Sequence, residues 1–338
     1  MGLGWMRKIT VKQVLSMCLV MVAIYFIVGR GEVEGDRLNL VTSVGDSYQV
    51  GVMEEGHTVY VTHESGYVVK TMAHIDPDLS EIESIFTALL VDSDRLPDQT
   101  IGLIPAGAVL RDYDLEDGML TLNLSESFLY YMPSDEAHLL SSLIWSFTEL
   151  DEVERVYLQI EGETVHNLNG STDVGRGLTR NIGINLEVEA PFNQDPQMVM
   201  LYFLTSDAED AMLVPVTRLI APNVDLMEYM VNSLVRGPIG AGYISVFSHR
   251  TTLIDPPHLE DGILTLNFCS EFFYNQEQTQ VSSQALRQLV MTMTEIDEVY
   301  EVSVIIEGSV RVFDEGGNPV VVPVSRATIL EQEFIERK

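Results

Sequence analysis

Leu115-Glu-Asp-Gly-Met-Leu-Thr-Leu-Asn-Leu124 recurs 144 residues later as Leu259-Glu-Asp-Gly-Ile-Leu-Thr-Leu-Asn-Phe268, changed only at its fifth and last positions. A match of that length within one chain marks an internal duplication. Each copy holds an Asp-Gly dipeptide, Asp117-Gly118 or Asp261-Gly262, of the kind that tolerates positive φ. The residues after it alternate, with Leu120, Leu122 and Leu124 in one copy and Leu264, Leu266 and Phe268 in the other. Turn and alternation together spell a β-hairpin with one buried face.

Downstream, Leu140, Leu143, Ile144 and Phe147 answer Leu286, Leu289, Val290 and Met293 at helical spacing. Thr148-Glu-Leu-Asp-Glu-Val153 then matches Thr294-Glu-Ile-Asp-Glu-Val299, the offset having grown to 146, and Val156–Ile160 or Val302–Ile306 reads as a closing strand. Upstream, Ile82, Phe86, Leu89 and Leu90 behind Ser80, and Leu226, Met230 and Leu234 behind Asp225, predict a capped amphipathic helix. Gly237-Pro238 stops the second of these helices, and the first runs out near Asp92-Ser93 with a weaker signal. Short β-rich runs, Val59–Thr62 and Leu201–Leu204, open the copies.

The order β-α-β-β-α-β predicts an α+β fold, two tandem modules of two layers with both helices on one face of a small sheet. The modules are placed at 46–168 and 197–330, joined by a linker at 169–196. That linker is rich in glycine and polar residues, although Ile182–Val188 alternates and has the pattern of a strand.

At the N-terminus every residue from Val14 to Val28 except Ser16 is apolar, behind Arg7, Lys8 and Lys12 and ahead of Glu32, Glu34 and Asp36. Extended back through Ile9, the run reaches the roughly 20 residues a bilayer requires. Residues 1–36 therefore read as a cytoplasmic N-terminus and one transmembrane helix, an uncleaved signal anchor. The bulk of the chain is then placed outside the cell membrane by the positive-inside bias. Leu15-Ser16-Met17-Cys18 has bulky Met17 where a lipidation signal needs a small residue, so no lipid is expected at Cys18. The other cysteine, Cys269, falls in an alternating segment and reads as a core residue.

The 338-residue chain carries 51 acidic against 19 basic residues, a formal charge of -32 that repels phosphate backbones and argues against nucleic acid as a partner. The seven histidines fall mainly in expected loops and show no metal-ligand spacing, so no metal site is expected. Glu116-Asp117 and Glu260-Asp261 are explained by the hairpin turns, and adjacent strand residues point to opposite faces, so neither pair reads as an acid and base. Met227, Met230, Met291 and Met293 read as core filling. No nucleophile elbow, phosphate loop or dinucleotide fingerprint occurs. No catalytic, cofactor-binding or metal-binding residue is therefore assigned, and the chain reads as a non-enzyme without a small-molecule cofactor. Tyr130, Tyr131, Phe273 and Tyr274, just after the hairpins, are candidates for an exposed binding surface, against the commoner fate of covering the hairpin-to-helix junction.

Copy two resembles the GerMN domain of sporulation and spore germination proteins over nearly all its length. The resemblance rests on Leu201-Tyr-Phe-Leu204, Leu234-Val-Arg-Gly-Pro238, Leu259–Asn267 and Thr294–Gly308. Copy one resembles the same domain through Ile104-Pro105-Ala106-Gly107, Leu115–Asn123 and Thr148–Gly162, but lacks the Gly-Pro after its first helix. Copy two has Phe247-Ser248-His249 where the family shows a proline-glycine entry to the hairpin. The resemblance implies a fold similar to the ring-building motifs of sporulation channels. It also implies a structural or assembly role beside the channel between mother cell and forespore, with channel subunits or further copies of the chain as partners. A binding module for cell-wall or germination ligands is the second reading, and a wall-polymer hydrolase, which needs two carboxylates converging in a cleft, the third.

Overall fold

In the computed structural model, residues 56–190, 195–206, 211–274, 280–309, 312–320 and 322–329 are described. The expected transmembrane segment and Cys18 lie outside them, and among the described residues no helix is long and apolar enough to cross a membrane.

Copy one opens with a hairpin, β1 (Gly56–His63) and β2 (Val68–His74), followed by α1 (Glu81–Ala88) and a two-residue strand, β3 (Thr100–Ile101). Ser80 caps α1 in a full capping box with Glu83, as its sequence position predicts. The repeated segment forms β4 (Leu110–Glu116) and β5 (Met119–Leu124), with Asp117 at φ 49° and Gly118 at φ 77° in the turn. Then come α2 (Glu136–Phe147), β6 (Arg155–Ile160) and β7 (Glu163–Thr164). Because α2 carries the chain back across the hairpin, β6 pairs parallel to β5, setting Leu120 beside Val156 and Leu122 beside Leu158.

Copy two repeats the plan with β9 (Gln197–Thr205), β10 (Leu213–Ile220), α3 (Leu226–Arg236), β11 (Tyr243–Ile244), β12 (His258–Glu260), β13 (Ile263–Phe268), α4 (Ser283–Met293), β14 (Glu301–Ile306) and β15 (Val324–Ser325). β8 (Glu187–Val188) comes from the stretch between the copies and pairs with β10. The fold is mixed α+β, and both copies belong to one compact unit.

Each copy differs from the single expected sheet in having two: β2-β1-β3 and β4-β5-β6-β7 in the first, β11-β9-β10-β8 and β12-β13-β14-β15 in the second. The physical reason lies in α2 and α4. α2 touches β1 and β2 as well as β6. It is buried almost all round, Ser141, Ser142 and Ser146 included. Ser142 and Ser146 serve the backbone of β1: the Tyr60 N–H donates to Ser146 Oγ at 2.8 Å, and Ser142 Oγ donates to the Tyr60 carbonyl. In copy two the Tyr202 N–H donates to Thr292 Oγ1 at 2.9 Å, and Gln288 Nε2 donates to the Tyr202 carbonyl at 3.1 Å. Helix side chains thus take the place of a neighbouring strand, so the opening strand needs no ladder to the hairpin sheet.

Candidate functional site: the seam between the copies

The largest fully buried side chains include Tyr60 and Tyr202, equivalent residues of the opening strands. Tyr60 donates to Glu149 Oε1 at 2.8 Å and Tyr202 to Glu295 Oε1 at 2.9 Å, the glutamates being those of the repeated Thr-Glu-Leu/Ile-Asp-Glu segment. An arginine closes each cluster. Arg180 Nη2 lies 2.7 Å from Glu149 Oε1, its Nε donates to Thr148 Oγ1 at 2.8 Å, and its guanidinium stacks on Trp145. Arg326 Nη2 lies 2.5 Å from Glu295 Oε1 and its Nε donates to Thr294 Oγ1 at 3.0 Å. Lys70 of β2 adds a second cation 3.2 Å from Glu149 Oε2.

Burial, with Tyr202 and Glu149 nearby, pushes the Tyr60 hydroxyl well above its ordinary range, and burial with Glu295 does the same to Tyr202. Burial alone would raise the Glu149 carboxyl, but Lys70, Arg180 and the Tyr60 hydrogen bond outweigh it and hold it below the ordinary carboxylate range. These groups are committed to one another, and their fields cross the seam, Tyr60 sensing Tyr202 and Lys70 sensing Arg326. Such clusters can fix the relative placement of strand, helix end and tail.

Both arginines arrive on equivalent segments. Leu178 bridges to Val156 and Val324 of β15 pairs with Val302, so Leu178-Thr179-Arg180 and Val324-Ser325-Arg326 take equivalent edge positions 146 residues apart. The hairpin ahead of each also repeats, the Val174 N–H donating to the His166 carbonyl and the Val320 N–H to the Val312 carbonyl, both at 2.8 Å. The stretch expected to be a linker with some order thus supplies an edge bridge to β6 of copy one. Past it, the Asn185 side chain accepts from the Val68 N–H at 3.1 Å and donates to the carbonyls of Val68 at 2.7 Å and Pro215 at 2.8 Å. It joins β2 of copy one to β10 of copy two. Pro215 offers no N–H on the side its carbonyl faces, so an amide side chain stands where a ladder bond would otherwise form.

Two residues further on, Glu187 is buried. Its carboxylate accepts from Arg218 Nε at 2.8 Å, the N–H groups of Ile239 and Gly240 at 2.8 and 2.9 Å, and the Tyr243 hydroxyl at 2.8 Å. All of β10 is buried, so Arg218 lies inside the two-copy body. Tyr67 of copy one packs edge-on against Tyr243 of copy two, with ring centroids 4.7 Å apart.

Beside the seam runs an open groove of about 370 Å³. Copy one contributes Trp145, Arg180 and Asn181; copy two contributes Met198, Met200, Leu226 and Met230 on the apolar side and Glu295, Asp297 and Glu298 on the acidic side.

Of the four aromatic candidates, Tyr130 and Tyr274 are 72% and 67% exposed, one on each copy at equivalent positions. Tyr131 instead donates to Glu136 Oε2 at 2.7 Å, and Phe273 packs against the core. Glu116 and Glu260 are exposed beside their turns. Met230, Met291 and Met293 are core residues, with Met227 packed against them. Cys269 corrects expectation: it follows β13, is half-exposed, and its Sγ accepts from the Thr252 N–H at 3.3 Å. The histidines also differ from expectation, His57, His63, His74 and His258 lying in strands and His138 in α2. Among the described residues no group of three or more His, Cys, Asp and Glu side chains is placed to hold a metal ion.

Two α+β modules joined through an amide-bridged seam define a tandem-module protein in which neither copy is merely tethered. The chain belongs to the Germane family, described as sporulation and spore germination, which matches residues 58–166 and 200–311. It is 28% identical over 294 residues to the spore germination protein GerM of Bacillus subtilis (strain 168), an alignment covering 84% of this chain and 80% of that protein. The structure of the tandem GerMN domains of the sporulation protein GerM from Bacillus subtilis superposes with a TM-score of 0.73 at 26% identity, covering 80% of this chain and 96% of that one.

Proposed function

We propose that this chain is a non-enzymatic sporulation or germination protein, held in the cell membrane by its N-terminal helix and working outside the cytoplasm as a structural or assembly component of the channel between mother cell and forespore. The observation that carries this reading is the seam. The buried pair Glu187–Arg218 and the part-buried cluster of Glu149 with Lys70 and Arg180 lock strands, tails and helix ends together. A body built this way presents two modules at a fixed spacing, as an assembly component requires. Family membership and the likeness to GerM support the sporulation context, and the apolar run Val14–Val28 with its basic flank supports the anchor.

A second reading, a binding module for cell-wall or germination ligands, draws support from Tyr130 and Tyr274, which stand out from the surface at the same place on each copy. The test is a deletion strain of the source bacterium, scored for forespore development after engulfment and complemented with the full chain. The assembly reading expects arrest at that stage, with rescue by a Tyr130→Ser/Tyr274→Ser chain. Normal spores that fail only to germinate would overturn it in favour of ligand binding.

A further inference from the structure

The groove beside the seam is lined in part by Trp145, Arg180 and Glu295 of the clusters above, and in part by residues those clusters do not use, Met198, Met200, Leu226, Met230, Asp297 and Glu298. Met198, 39% exposed, with Met200, Leu226 and Met230, gives it a soft apolar side. Asp297 and Glu298 are exposed on the other side, and neither is in an ion pair among the described residues. Arg180, the cation in the groove, is already held by Glu149 and by the face of Trp145. Trp145 is 3% exposed and lines the groove, so its emission reports on what enters there.

We infer that this groove is a docking site for a segment of a partner protein that carries apolar side chains flanked by lysine or arginine. Charge decides against a second copy of the chain, which at -32 would bring more acid to Asp297 and Glu298. An apolar side chain enters among the methionines and a flanking cation meets the Asp297 and Glu298 carboxylates. The site exists only where the copies meet, since Trp145 and Asn181 come from one and Met198 to Glu298 from the other. The inference rests on reading the chain as an assembly protein and names the kind of partner surface it takes.

The test uses the full chain in nanodiscs with Trp5→Phe, which leaves Trp145 as the sole tryptophan. The probe is an eight-residue amidated peptide alternating leucine and lysine, titrated at about 150 mM salt so that the distant field of the chain is screened beyond about 8 Å. Expected is a saturable change in Trp145 emission, at least tenfold weaker with Asp297→Asn/Glu298→Gln, with exposed Met198→Gln, and with a leucine-glutamate peptide. Equal binding of octalysine, equal binding by those variants, or no saturable change would overturn it. If the peptide fails while the deletion strain still arrests, only the groove inference falls. If the peptide binds and the strain develops normally, the assembly reading falls and the groove stands.

Discussion

Replacing Glu187 by alanine is the perturbation whose cost follows most directly from the geometry. The carboxylate is 5% exposed and engaged by Arg218, by the N–H groups of Ile239 and Gly240, and by the Tyr243 hydroxyl. Arg218 is 1% exposed and also donates to the Gly237 carbonyl at 3.3 Å, a neutral acceptor that brings no counter-charge. Alanine would leave a buried guanidinium without its counter-charge, for which breaking buried pairs suggests about 3–5 kcal/mol. For a protein of this size each kcal/mol corresponds to roughly 2–4 °C in melting temperature, so a fall of about 10 °C is expected by differential scanning calorimetry. Removing both charges with Glu187→Met/Arg218→Met should recover most of it, because isosteric apolar replacement of a buried pair is often neutral. A shift below about 2 °C for the single variant, or a double variant as unstable as the single, would refute the reasoning that Glu187 holds the α3 exit loop on β10 by neutralising Arg218.

Asn185→Ala should lose about 1–3 kcal/mol, because the Val68 N–H and carbonyl lose their partner at the seam. Asn185→Gly, which tolerates the local φ of 45°, should lose nearly as much if the amide matters more than the backbone, and urea unfolding decides. Gly102→Ala should destabilise by several kcal/mol, since a Cβ there would lie 2.3–2.5 Å from the backbone of Leu89 and Leu90; a thermal shift under about 2 °C would contradict the packing. Stability should also fall at both ends of the pH scale. Glu149 titrates below its ordinary 4.5 when folded, so its contribution is present above that pH and is lost as the pH falls through the folded value. Tyr60 titrates above its ordinary 10.0, so its contribution is present below that pH and is lost as the pH rises through the folded value. Glu149→Gln should flatten the acid limb of a denaturation–pH profile and Tyr60→Phe the alkaline limb; unchanged limbs would show that these groups do not couple to folding.

The duplication, the Asp-Gly hairpins and the four expected helices were legible because Asp-Gly turns and apolar periodicity act within a few residues, whereas β2 and β10, the second strands of the opening hairpins, were not read. Asp117-Gly118 and Asp261-Gly262 adopt the positive φ their composition suggests. What composition hid was the tail of each copy. Leu178-Thr179-Arg180 sits among glycines and reads as linker, yet it matches Val324-Ser325-Arg326 at the same offset of 146 as Glu149 and Glu295. That match was available in the sequence and could have located both arginines. Ser142, Ser146, Gln288 and Thr292 gave no local signal of their role: polar residues on a helix are ordinarily solvated, whereas here they are buried against the backbone of Tyr60 and Tyr202. Neither Asn185 as a bridge nor the Glu187–Arg218 pair was legible, because their partners lie 117 and 31 residues away and no local pattern records such pairings.

An assembly component with a built-in partner surface must change mass when it meets its partner. Multi-angle light scattering of the full chain in a mild detergent, alone and with purified channel subunits from the same bacterium over a range of concentrations, reads this without a label. Expected is a defined complex of fixed stoichiometry whose formation weakens when Asp297 and Glu298 are neutralised. A chain whose mass ignores every subunit at every concentration would contradict it.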